Sequence, residues 1–248
     1  MRLDHATWPE VEAYLARSPG ILLPVGSTEQ HGPMGLIGTD AICAEAIASA
    51  AADQADALVA PTLAYTPAPF NTSFPGTISV SDDLFERLFA EILQGLHAQG
   101  FACVYVVNGH GANLAPMRRV ADTLTPKVHI RSWWDFATVN ALRADYYGEW
   151  EGMHATPSEI AITQALIRTV APGAAADPPR KLTPDDIAAR AGDKHGPPGL
   201  HRAEFPDGRV GSHSALARPE QGNSLLQAAP RAVAEDYKAF LAAPIPSS

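Results

Sequence analysis

The run Gly26-Ser27-Thr28-Glu29-Gln30-His31-Gly32-Pro33 sets a carboxylate and an imidazole two positions apart, and Asp40 follows nine residues after His31. Glutamate, histidine and aspartate are oxygen and nitrogen donors suited to Zn2+ or Mn2+, and a carboxylate-rich set also admits Fe2+ or Mg2+. Glycines at 26, 32, 35 and 38 permit the tight path that would fold these donors onto one point. Each residue has a plainer role as well: Glu29 as an exposed charge, His31 as donor to a backbone carbonyl, Asp40 as a helix cap. His110 shifts the balance toward metal, because it stands in Asn108-Gly109-His110-Gly111, between glycines where a structural imidazole has little to pack against. A third cluster, His154-Ala155-Thr156-Pro157-Ser158-Glu159, adds a carboxylate in the first turn of a helix, where the dipole favours it with or without a metal. A neutral imidazole at His154, just before that turn, is placed to exchange protons at such a site.

Donors so far apart in the chain need elements that deliver them to one place. Residues 21–26 read as a compact apolar strand that hands the polar 27–40 run to its carboxyl end. Residues 101–107 are an almost uninterrupted apolar run, as a strand buried on both faces requires, and end at Asn108. Further strands are expected at 57–63 and 128–134. Helices are expected at 4–16, with Thr7 as cap and Pro9 in the first turn; at 40–55, capped by Asp40; from 81 to near Gly100, where apolar residues repeat at helical spacing; at 114–124; at 158–169, with Thr156 or Ser158 near the cap; and at 219–242. The 64–77 stretch, rich in proline and aromatics, is an irregular excursion, 172–184 is a Pro/Ala-rich connector, and 192–214 is glycine-rich.

Strands alternating with crossover helices predict an α/β fold, with a mostly parallel sheet covered on both faces and its polar loops gathered outside the carboxyl ends of the strands. Phe70, Trp133, Trp134 and Trp150 are candidate walls for a substrate pocket and Asn71 lies at its mouth, although each aromatic could equally be core. His195, His201 and His213 have no ligand spacing.

The 248 residues suit one domain, 1–248. Acidic residues (27) outnumber basic ones (18), the formal charge is -9, and no stripe of Lys and Arg could neutralise a phosphate backbone, so nucleic acid is not expected as a partner. No apolar run reaches the roughly 20 residues of a spanning helix, and the N-terminal segment lacks the basic start and apolar stretch of an export signal. Cys43 and Cys103 sit among apolar residues and form no CxxC pair, which predicts buried thiols and a cytoplasmic location. With 46% hydrophobic and 18% charged residues, spare apolar surface points to a homo-oligomer.

These clusters resemble the creatininase (creatinine amidohydrolase) family, and the resemblance extends over almost the whole chain. It is carried by Thr7-Trp8-Pro9-Glu10-Val11, by Leu23 through the GSTEQHGP run to Pro33 with Asp40 correctly placed, by Phe74-Pro75-Gly76-Thr77 and by Val107-Asn108-Gly109-His110-Gly111. The resemblance implies a three-layer αβα sandwich, assembly into a hexamer built from dimers, and a two-metal amidohydrolase site. On this chain Asp40 corresponds to the carboxylate shared by both ions, with Glu29, His31 and His110 as further ligands. The family's enzyme carries a ligating glutamate two residues after the NGH histidine. Here that position is Ala112, and Glu159 is the candidate replacement. Met34 and Gly35 stand where relatives read His-Leu, and His154-Ala155-Thr156 where they read HAG, so the substrate is not carried over from creatinine.

The chemistry expected is hydrolysis of an amide, cyclic amide or formamide-like C–N bond in a small metabolite. A water between two divalent ions attacks the carbonyl, His154 protonates the leaving nitrogen, and Glu159 either completes the metal shell or steers the water. On the same site, cleavage of short peptides, C–C hydrolysis of a cyclic ketone, and non-enzymatic binding of a metal or ligand remain alternatives.

Overall fold

Four segments of the chain join one sheet in which every pairing is parallel: β1 (Gly20–Val25), β2 (Leu58–Val59), β3 (Cys103–Asn108) and β4 (Lys127–Ser132), in the order β2-β1-β3-β4. The computed structural model describes residues 1–192 and 194–244. Alternate side chains of the central strands feed two separate cores, as the period-two geometry of a strand dictates. Leu22, Cys103, Tyr105 and Val107 meet α2 (Thr39–Ala55), α6 (Pro157–Leu166) and α9 (Pro219–Ala242) on one face, with α5 (Ala137–Tyr147) beside them. Ile21, Leu23, Val25, Val104 and Val106 meet α1 (Trp8–Leu15), α3 (Asp82–Ala98) and α4 (Leu114–Ala121) on the other. The result is a three-layer αβα sandwich. Each fully buried branched side chain contributes about 1.5–3 kcal/mol, which is why β1 and β3 are apolar throughout.

Local chemistry sets most element ends. Thr7 and Glu10 form a reciprocal capping box, with Pro9 in the first turn of α1; the helix therefore starts at Trp8, and Leu3–His5 is a separate 3-10 turn. Ser81 caps α3 by accepting from Leu84 N. The expected strand at 57–63 shrinks to Leu58–Val59, because Pro61 supplies no amide hydrogen to a ladder. Asp40 does not cap its helix: Gly38 holds the cap position without a side-chain bond, and the Asp40 carboxylate turns inward. Two short helices, α7 (Pro184–Arg190) just past the 172–184 connector and α8 (Pro198–Glu204) within the glycine-rich 192–214 stretch, and α5 lie where no helix was expected.

The crossover from β1 through α2 to β2 leaves on one side of β1, and β3 lies on the other. The loops after β1 and β3 therefore splay apart at their carboxyl ends and open a crevice, the place where open parallel sheets bind ligands. Glu29 and His31 follow β1, and His110 follows β3.

Candidate metal centre

Two glycines bring the parts together. A Cβ on Gly26, just past β1, would lie 2.3 Å from Ala41 N, and one on Gly109, just past β3, would lie 2.3 Å from the Asp40 carbonyl oxygen. The first turn of α2 is thus pressed against both strand ends, and Asp40 points its carboxylate between them. The turn holding His110 is tied by Asn108, whose Nδ2 donates to the His110 carbonyl (2.8 Å) and to Ser132 Oγ (3.1 Å). Glu159 arrives from the same helical layer as Asp40, on the first turn of α6, which packs beside α2. Its carboxylate accepts from Thr156 N at 2.6 Å, completing a capping box, so the cap and the site share one side chain.

The structure gathers Glu29, His31, Asp40, His110, His154 and Glu159 into one buried cluster, each at most 7% exposed. Asp40 Oδ2 lies 3.2 Å from His110 Nδ1, which is 2.9 Å from Glu29 Oε1. Asp40 Oδ1 lies 2.9 Å from His31 Nε2, which is 3.8 Å from Glu159 Oε1. One oxygen of Asp40 thus serves each of two donor groups, Glu29–Asp40–His110 and His31–Asp40–Glu159. A third group, Glu29–His31–His154, lies between them, with His154 Nδ1 at 3.8 Å from Glu29 Oε1.

Each histidine is anchored by its other ring nitrogen to a backbone carbonyl: His31 Nδ1 to Glu29 O (3.1 Å), His110 Nε2 to Pro67 O (2.9 Å) and His154 Nε2 to Gln30 O (2.7 Å). A carbonyl only accepts, so on His31 and His110 this nitrogen carries the hydrogen of the neutral ring and leaves a bare lone pair aimed into the cluster, the arrangement of metal-binding histidines, whereas the His154 Nε2 also lies 3.0 and 3.2 Å from the amide nitrogens of Gln30 and Asn71. Glu29 Oε1 and Asp40 Oδ2 are buried and take no hydrogen bond. Donors about 2.0–2.1 Å from a tetrahedral ion stand about 3.3 Å apart, and the separations here bracket that figure. The site therefore fits two divalent ions with Asp40 shared, and its oxygen and nitrogen donors suit Zn2+ or Mn2+.

The electrostatics agree. Burial works against a charge on His31 and His110, yet Asp40, Glu159 and Glu29 around the first, and Glu29 and Asp40 around the second, outweigh it. The His31 pKa rises to about 10, and that of His110 rises well above its ordinary value. Protons thus fill positions that cations would take. Burial raises the Glu159 carboxyl, with the Asp40 charge adding to it against His31. His154 is depressed to about 3, first by burial, while the Glu29 charge only partly opposes it, so its ring is neutral. Ala155 beside it holds φ 58°, a left-handed conformation costly for a residue with a Cβ.

A cavity of about 260 Å3 opens on the cluster. Trp133 and Trp134 line it, with ring centroids 5.4 Å apart and planes at 87°. Phe70, Asn71 and Trp150 are not brought to it. Phe70 is buried behind the cluster against His195 and His201 (4.4 and 5.3 Å), and Trp150 packs on His213 and Lys181. Asn71 is a clamp: its Nδ2 donates to Glu29 Oε2 at 2.6 Å while its Oδ1 accepts from Gln30 Nε2 at 2.7 Å. His195, His201 and His213 join none of the donor groups. Sequence reasoning passed over Gln30, although it lies between two expected ligands, and Arg143, which lines the cavity from the unanticipated α5.

Comparison with known proteins agrees with this geometry. The family model described as creatinine amidohydrolase matches residues 4–237. The mycofactocin precursor peptide peptidase of Mycolicibacterium smegmatis is 30% identical over 161 residues, 62% of this chain and 65% of that protein, so the match spans less than two thirds of the relative's length. The creatinine amidohydrolase of Pseudomonas putida is 31% identical over 180 residues, 64% of this chain and 69% of that protein. A crystal structure of creatinine amidohydrolase superimposes with a TM-score of 0.80 at 25% identity, covering 98% of each chain. With the family's fold, its GSTEQHGP run and a converging set of carboxylates and imidazoles, the chain belongs to the creatininase family.

Proposed function

We propose that this chain, as one domain, is a metal-dependent amidohydrolase that cleaves an amide, cyclic amide or formamide-like C–N bond in a small metabolite. The observation that carries this reading is the pair of donor groups hinged on Asp40, with His31 and His110 each held by a backbone carbonyl in the tautomer that presents a lone pair. Glu29, Asp40 and His110 would hold one divalent ion, and His31, Asp40 and Glu159 the other. Such ions supply a polarised carbonyl and a water acidic enough to attack at neutral pH.

The remaining steps fall to the chain itself. His154 is neutral and anchored through Nε2 at Gln30 and Asn71, so Nδ1, at the cavity floor, relays a proton from the attacking water to the departing nitrogen. Trp134, backed by the buried Trp133, excludes water and offers an aromatic wall to a planar substrate. Asn71 and Gln30 hold Glu29 and His154 in place.

The test is a turnover screen of the metal-replete protein across cyclic ureas, lactams, formamides, short peptides and inososes, read by mass spectrometry. His154→Asn should abolish turnover with metal content intact. Turnover that survives this substitution, or a wild-type protein that takes up no metal, would overturn the reading. Short peptides are the second class to try, because the Mycolicibacterium smegmatis relative is a peptidase. A homo-oligomer, of hexameric form as the family resemblance implies, and a cytoplasmic location, in keeping with the free buried thiols of Cys43 and Cys103, belong to the same proposal. Light scattering of the purified protein checks the first.

A further inference from the structure

Arg143 is the one Lys or Arg side chain among the described residues that line the cavity. It stands on α5, and its guanidinium is already fixed: Nε donates to Glu151 Oε1 at 2.9 Å and Nη1 to Asn140 Oδ1 at 2.7 Å. Glu151 is in turn held by Ser158 Oγ. A guanidinium has five N–H donors, and these two bonds use two of them. The other three, on the Nη1 and Nη2 end, meet no acceptor among the described residues, although the side chain is only 18% exposed. These donors open onto the cavity, where the guanidinium also lies 5.8 Å from the Trp133 ring centroid, so they are available to a guest that enters it. A residue serving only to pair with Glu151 would not need its free end in the cavity wall.

We propose that Arg143 reads a carboxylate on the substrate, so that the compound hydrolysed is an anionic amide with its acid group set apart from the scissile bond. This deepens the amidohydrolase reading and rests on it. The free end of the guanidinium is a planar fork that matches the two oxygens of a carboxylate, and the bonds to Glu151 and Asn140 fix its direction beforehand.

The test is binding of α,ω-dicarboxylates from malonate to adipate, each paired with its monoamide, to the Zn-loaded protein by titration calorimetry. One carboxylate of each ligand meets the metals, and the swap to amide alters the end left for Arg143. At the best chain length the diacid should bind about 10- to 100-fold more tightly than the monoamide, the range of a hydrogen bond to a charged group. Arg143→Gln should bring that ratio to about one, and Arg143→Lys, which keeps charge but not the fork, should retain a few-fold preference. Equal binding of acid and amide at every length by the wild type overturns the proposal, as does a preference that survives both substitutions. Metal content is measured on the same samples. A protein without metal that still tells acid from amide through Arg143 refutes the hydrolase reading alone; a metal-loaded protein that does not refutes this one alone.

Discussion

Gly109→Ala tests whether the close approach of β3 to α2 is what assembles the site. Gly109 does not hold a positive φ, so alanine meets no backbone penalty there, and the only obstacle is the new methyl group at 2.3 Å from the Asp40 carbonyl oxygen. Ordinary contact is about 3.5 Å, so the turn carrying His110 and the helix carrying Asp40 must separate by about 1 Å. Coordination tolerates about 0.2 Å, and the two side chains that part are donors in the same group. Ion affinity should fall at least 10- to 100-fold. Overpacking of about 1–3 kcal/mol should lower Tm by about 2–12 °C. The control is Gly95→Ala in the exposed face of α3, where nothing lies within 4 Å of the new methyl; it should stabilise by about 0.5–1 kcal/mol. Metal content after gel filtration and thermal denaturation decide. A Gly109→Ala protein with a full metal complement and unchanged Tm would refute the reasoning.

Glu159→Gln keeps an oxygen to accept from Thr156 N, so the metal-free protein should hold its stability within about 1 kcal/mol while one of the two ions is lost; equal loss of both would mean Glu159 does not belong to one group alone. Loading should also depend on pH. His31 is raised from 6.5 to about 10, so its proton stabilises the metal-free protein fully below pH 6.5 and that stability is lost as pH approaches 10. An ion needs the neutral ring, so the Tm gained on adding Mn2+ should grow across that window, and a gain that stays flat counts against the assignment. Gly222→Ala should destabilise strongly, by about 3 kcal/mol or more, because its methyl would sit 2.0 Å from the Ala161 carbonyl where α9 crosses α6; a chemical denaturation midpoint matching the wild type would contradict this.

The sequence by itself determined what depends on local pattern and residue chemistry. The apolar runs of β1 and β3 specify buried parallel strands, the capping residues Thr7, Ser81 and Thr156 mark helix starts, and the GSTEQHGP run with Asp40, His110 and Glu159 names the donors. Only the tertiary structure decided which atoms meet. The two carboxylate oxygens of Asp40 serve different groups because α2 is clamped between two strand ends, a contact between residues far apart in the chain that no local signal encodes. The same holds for Asn71, expected at a pocket mouth and found gripping Glu29, and for Phe70 and Trp150, aromatic residues whose sequence context does not say what they face. Arg143 went unread because α5 buries few side chains and shows little periodicity, so its place at the cavity follows from how the helix packs rather than from what it contains. Residue type fixes what a side chain can do, while long-range packing fixes which partners it does it with.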